Sequence, residues 1–289
     1  MDAWLCWAAG LVLLPASACS SDGRDADDDA LPLRLAVTEE PWQDEQVGVT
    51  RSGETLTALQ GSGFGLYSTE FGLSNQQVTW ESSSSAWYYQ DMKFWPKGVN
   101  TASFYAYAPY NGSISVSENV LTFDVGTADN TTDLLWACCT DLARTVGTAT
   151  LNFQHALAKV SFGTITNKSG LAMTVKSLTV SGEFYKSGSL SLATGGWSDV
   201  TNFTSASQTV TRNFADPYLS VADGGSGNIS SWKSFMMIPK ADLLLTFTMT
   251  YESVTEHTLT FSTTQTFEAG KNYVFNFIIT NNFEVIIDD

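Results

Sequence analysis

Histidine is nearly missing from this chain and positive charge is scarce. Its 289 residues hold 2 His and 14 Lys or Arg against 30 Asp or Glu, a formal charge of -16. That surplus of negative charge excludes nucleic acid as a partner and disfavours anionic membrane surfaces. Two histidines leave little for general acid–base chemistry, and no His or Cys spacing fits a metal site. His155 lies between apolar strands and reads as a hydrogen-bonded structural residue, while His257, beside Glu256, reads as a strand or hairpin residue near solvent. Walker loops, Gly-x-Ser-x-Gly and His-Glu-x-x-His are all absent. The acidic neighbours Glu39–Glu40 and Asp288–Asp289 would point to opposite faces of a strand, the wrong arrangement for paired carboxylates. Asp22 to Asp29 lacks the spaced ligands and glycine of a calcium loop. The chain therefore reads as no enzyme, without catalytic residues, metal or cofactor.

Cysteine is scarce as well, with 4 in the chain. Cys138 and Cys139 are adjacent in the apolar run Leu134-Leu-Trp-Ala-Cys-Cys, where they cannot build a disulfide framework and read as buried thiols. Long apolar runs are missing too. Ala3 to Ala18 is too short and too broken for a spanning helix, and its end, Leu11-Val-Leu-Leu-Pro-Ala-Ser-Ala-Cys19, reads as a lipoprotein signal. Residues 1–18 are expected to be cleaved, leaving Cys19 as an acylated first residue carrying lipid such as palmitate. Ala16 stands three positions before that cysteine, where such signals usually carry Leu. The acidic stretch Asp22 to Asp29 reads as a solvated linker. It also resembles the export tag of surface-exposed lipoproteins, which implies an outward-facing place on the cell outer membrane.

Helical periodicity is absent beyond residue 30. In its place come short segments that alternate at period two, or are rich in β-branched and aromatic residues, cut by Gly, Asn, Ser or Pro. Examples are Ala102 to Ala108, Leu151 to Phe153 and Asn272 to Thr280. This predicts an all-β chain, two β-sandwiches in tandem, with a seam near Arg144-Thr-Val-Gly147. The expected divisions are 19–51 for the linker and first strand, 52–146 for the first sandwich and 147–289 for the second. Trp80, Trp87, Tyr88, Tyr89, Phe94 and Trp95 cluster in sequence. They read as sandwich core with a loop cover, or alternatively as a glycan-binding surface on a lipoprotein.

Several stretches resemble the fimbrillin (Mfa-like) family of Bacteroidales. They are Tyr88-Tyr-Gln-Asp-Met-Lys-Phe-Trp-Pro96, Phe104-Tyr-Ala-Tyr-Ala-Pro109, Asp133-Leu-Leu-Trp-Ala137, Leu151-Asn-Phe-Gln-His-Ala-Leu-Ala-Lys-Val160 and Phe267-Glu-Ala-Gly-Lys-Asn-Tyr-Val-Phe275. The resemblance implies two transthyretin-like β-sandwich domains in a fimbrial (pilus) subunit that serves adhesion. It further implies export as a lipoprotein, a cut by an Arg-specific protease, and assembly with other fimbrial subunits by strand exchange into an extracellular fimbrium. Thr50-Arg51 resembles the processing region, so Arg51 is the expected cut. Leu31, Leu33, Leu35 and Val37 alternate on one face of the segment such a cut would remove, and Pro32 and Arg34 on the other face suit a sheet edge. Phe283, Val285 and Ile287 alternate in the same way at the other end and are the expected donor strand. A subunit that escaped the cut would instead remain by its lipid as a fimbrial anchor.

Overall fold

The structure, a computed structural model, describes residues 31–44, 56–204, 209–213, 218–282 and 284–288. The first half contains β1 (Arg34–Glu39), β2 (Gln43–Asp44), α1 (Thr57–Ser62), β3 (Phe64–Ser68), β4 (Leu73–Glu81), β5 (Ala86–Tyr89), β6 (Thr101–Ala108), β7 (Val116–Ser117), β8 (Val120–Asp124) and β9 (Leu135–Ala143). The second contains β10 (Thr148–His155), β11 (Ala158–Asn167), β12 (Met173–Ser181), β13 (Tyr185–Ser191), β14 (Trp197–Asn202), β15 (Thr209–Asn213), β16 (Leu219–Val221), β17 (Ser226–Asn228), β18 (Phe235–Met237), β19 (Lys240–Glu252), β20 (Glu256–Phe267), β21 (Lys271–Ile279) and β22 (Val285–Asp288). The chain is all-β, as its period-two patterning predicts. Its one described helix, α1, is six residues long; it buries Leu59 and stops at Gly63, whose φ of 66° favours glycine.

Four sheets result. A seven-stranded sheet runs β1-β10-β9-β6-β3-β4-β5. A six-stranded sheet runs β17-β11-β21-β2, with β18 also on β11 and β22 also on β21. A five-stranded sheet runs β15-β12-β19-β20 with β16 on β12, and a four-stranded sheet runs β14-β13-β8-β7. Alternation dictates how they pack. In β6, Ala102, Phe104 and Ala106 face one core, while Tyr107 on the opposite face joins the other. The first core gathers Leu33, Phe64, Leu66, Val78, Phe104, Leu151 and Phe153; the second gathers residues of β11, β12, β19 and β21, such as Phe162, Leu178, Phe247 and Phe277.

The two halves interlock. β7 and β8 are joined by Glu118 and Asn119, both at positive φ (50° and 63°), the geometry of a two-residue hairpin turn. That hairpin leaves the first half to pair β8 with β13, Leu121 opposite Leu190. The turn at Arg144–Gly147 lies between β9 and β10, and both strands belong to the seven-stranded sheet, so the first core takes residues from either side of it. The described residues belong to one compact unit.

Candidate functional site

One edge of the molecule is covered by residues 31–44, which run as a strap along two sheets. β1 closes the seven-stranded sheet by pairing in parallel with β10, Leu35 opposite Ala149 and Val37 opposite Leu151. Parallel register puts partners on the same face, so Leu35 and Val37 look toward the core that holds Ala149, Leu151 and Phe153. Leu33 is buried at 3% exposure, and Leu31, Leu35 and Val37 pack half-buried beside it. Arg34 and Thr38 face solvent, as the alternation predicts.

Ahead of β1 the backbone is clamped by the loop after β5. The Leu33 N–H donates to the Lys93 carbonyl and the Trp95 N–H donates to the Leu31 carbonyl, both at 2.9 Å. The buried Tyr89 hydroxyl donates to the Leu33 carbonyl at 2.9 Å. Burial pushes that phenol above its ordinary pKa, so it stays a donor through neutral pH. Pro32, with no N–H to offer, forms the isolated bridge to Phe94. Gly147 sits at φ 71° with the Leu31 side chain 3.3 Å from where a Cβ would be, so a larger residue there would strain the turn and press on the strap.

The strap then crosses to the second core. The Glu40 N–H donates to the Phe153 carbonyl at 2.8 Å. Trp42, at 3% exposure, lies flat on His155, ring centroids 3.9 Å apart and planes 21° apart, with the Lys159 ammonium 5.4 Å from the indole centroid. β2 pairs in parallel with β21, Gln43 opposite Lys271 and Asp44 opposite Asn272. The Asn272 amide donates to the Asp44 carboxylate at 2.8 Å and its oxygen accepts from Ser161 at 2.6 Å. A pocket of about 290 Å³ opens beside the crossing, lined in part by Glu40, Gln43, His155 and Gly270.

His155 is the structural histidine its surroundings suggested. Its Nδ1 is 2.5 Å from the Asp133 carboxylate and it lies under Trp42. A histidine held this way fixes the floor on which the strap rests.

The terminal strand β22 pairs antiparallel with β21, Phe277 opposite Ile287 and Ile279 opposite Val285. Val285 and Ile287 pack half-buried against the second core, while Ile286 is 53% exposed. β11 occupies the other edge of β21 along its length. β2 and β22 therefore share one edge, β2 at Lys271–Asn272 and β22 at Asn276–Ile279. The strap's second strand and the last strand thus lie end to end on β21.

Other sequence candidates separate. Tyr89 and Trp95 are buried, and Trp87 packs edge-on against Phe64 and Trp80 at 5.2 and 5.3 Å, so half of the aromatic cluster belongs to the first core; Tyr88 and Phe94 are exposed. Cys138 and Cys139 are free, half-buried thiols whose pKa values burial pushes up. Among the described residues no cluster of three His, Cys, Asp or Glu side chains could hold a metal, and no helix is long and apolar enough to cross a membrane. Cys19, Arg51, Phe283 and the leader at 1–18 lie outside the described residues. The patterning of the sequence did not reveal β2 or the Trp42 anchor. The one available signal was a lone indole set among Glu39, Glu40, Pro41, Gln43 and Asp44.

Comparison with known proteins places this architecture. The sequence model of the fimbrillin-like family matches residues 36–288. The fimbrium subunit Fim1C of Phocaeicola vulgatus is 27% identical over a match that takes in 39% of each chain, so this match spans well under half of that relative. A fimbrial protein of Bacteroides vulgatus has a similar fold: TM-score 0.62 and 17% identity, over 89% of this chain and 98% of that one. So does a candidate cell adhesion protein of Bacteroides uniformis, with TM-score 0.57 and 18% identity over 91% and 98%.

Proposed function

Since this chain belongs to the fimbrillin-like family, we propose that it is a building subunit of an adhesive surface fimbria, assembled by proteolytic release of residues 31–44 and their replacement by a strand from another subunit. The observation that carries this reading is the strap itself. It is an edge strand on two sheets, joined to the rest by the segment that holds Arg51, so a cut there frees both of its pairings without breaking any internal strand. The precursor travels to the outer membrane on lipid at Cys19, an Arg-specific protease cuts after Arg51, and the strap leaves. Two sandwich domains share the exposed edge, with β10 crossing past Arg144–Gly147 into the first and the β7–β8 hairpin into the second.

Magnitudes support such an exchange. Burying four aliphatic side chains of the Leu31–Val37 kind is worth at most about 6–12 kcal/mol. Each ladder hydrogen bond adds ~1 kcal/mol, against the cost of ordering a strand. An incoming strand with alternating apolar residues gains the same terms, and Val285 and Ile287 have that pattern. The strap thus keeps an apolar edge covered until cleavage. Head-to-tail joining that does not close builds a filament.

The test is Arg51→Ala in an assembly assay with an Arg-specific protease. The variant is expected to form no fibres while the parent chain does; fibres from the variant would refute the cut site. Deletion of residues 283–289 is expected to abolish donation while leaving the acceptor edge competent, and undiminished polymerisation would remove the terminal strand from the donor role. A lipid-retained anchor is the second reading, favoured by the firm docking of the strap at Leu33 and Trp42, both 3% exposed.

A further inference from the structure

The strap is one edge among several, and most of the others carry features that discourage pairing with another chain. β5, β7 and β17 are four residues or shorter. β14 carries Asp199, β15 carries Arg212, and β22 is only four residues long. β20 differs. It is twelve residues long, and among the described residues it hydrogen-bonds only β19, in an unbroken register from Gln265 opposite Leu243 to Glu256 opposite Glu252. From Thr258 to Phe267 it contains no charged residue, proline or glycine. A long, uncharged edge is a template for a further strand.

We propose that the free edge of β20 pairs with the same edge of a second copy, antiparallel and about a two-fold axis, and that this lateral contact is separate from strand exchange at the strap. Charge selects the partner. Each copy carries -16 overall, yet two β20 edges would bring no like charges opposite along Thr258 to Phe267. At the flanks, Glu256 is matched by Lys176 at 2.6 Å and Glu268 by Lys271 at 2.5 Å. Side-chain chemistry selects it too. The solvent face of this sheet already joins strands through hydroxyl pairs: Thr179 with Thr211 at 3.2 Å, Thr246 with Ser262 at 3.1 Å and Thr248 with Thr260 at 3.4 Å. Two β20 edges would extend the same Thr–Ser ladder across the axis. On the opposite face Phe261 stacks on Phe247, centroids 5.3 Å apart, and ties the edge strand to the second core. Isologous contacts close after two copies, so alone they give a dimer; between fibres they would join filaments side by side.

The experiment uses the full chain carrying Arg51→Ala, so that the strap stays in place, and measures sedimentation velocity and backbone hydrogen exchange across a concentration series. The expected result is a two-copy species that grows with concentration, with slowed exchange for alternate amides between Thr258 and Thr266. Thr260→Lys with Ser262→Lys, both on the exposed face, should weaken association roughly tenfold or more by placing like charges across the axis. Gln77→Lys with Thr79→Lys on β4 should leave it unchanged. A single-copy species throughout, with β20 amides unaffected by concentration, would overturn the proposal; so would a two-copy species indifferent to the β20 lysines. The exchange measurement on the Arg51→Ala chain stands even if the lysine variant folds poorly.

Discussion

The strap, through β2, and the last strand, β22, lie on the same edge of β21, but they are held very differently. The strap is parallel to both of its partners and reaches two cores, with Leu33 and Trp42 buried and a clamp of hydrogen bonds from Lys93, Trp95 and Tyr89. β22 is a four-residue antiparallel return from β21 whose inward residues are only half-buried and whose Ile286 faces solvent. Parallel pairing needs no tight turn, so a strap can be severed from its sheet without loss of any neighbouring strand. A short return can swing out on its own chain. In the proposed assembly the difference suits the strap to be a plug that only proteolysis releases, and β22 to be a tail that moves without a cut.

The largest expected effect that sharpens this contrast is Trp42→Ala in the uncleaved chain. It empties the socket over His155 and should destabilise by ~3–5 kcal/mol, with Leu33→Ala close behind at ~2–4 kcal/mol. Denaturant unfolding measures both. Ile287→Ala should cost less, about 1–2 kcal/mol, because the side chain keeps part of its contact with water. If Ile287→Ala cost as much as Trp42→Ala, the tail would be held as firmly as the strap and the contrast would fail.

The smallest expected effect is Tyr89→Phe, about 1 kcal/mol for the lost bond to the Leu33 carbonyl. Its pH dependence has a definite sign. The phenol's folded pKa lies above its unfolded value, so its contribution is complete below about pH 10 and is lost as the pH rises toward the folded value. Stability of the parent chain should therefore fall at alkaline pH more steeply than that of Tyr89→Phe. Equal slopes in urea melts across that range would show that Tyr89 does not help to hold the strap.

Much of the contrast was legible in the sequence. Leu31 to Val37 and Val285 to Ile287 alternate because each packs one face on a core and leaves the other in water, and period-two patterning reports that situation directly. Trp42 was hidden because its neighbours are acidic, amide or proline residues and read as a loop; its burial comes from His155 and Lys159, more than a hundred residues along the chain. The pairing of Asp44 with Asn272 spans 228 residues and leaves no local trace. For the same reason, the interlocking of β8 with β13 was invisible: each strand alternates normally, and nothing in either names its partner. His155 as a structural residue was readable from its apolar setting, but its carboxylate partner Asp133 was not.

The most direct measurement is the intact mass and amino-terminal sequence of the protein recovered from assembled fibres at the cell surface. The account predicts a chain that begins at Ser52, with no lipid and with residues 31–44 gone. Fibres built from chains that begin at acylated Cys19, with the strap still in place, would contradict it.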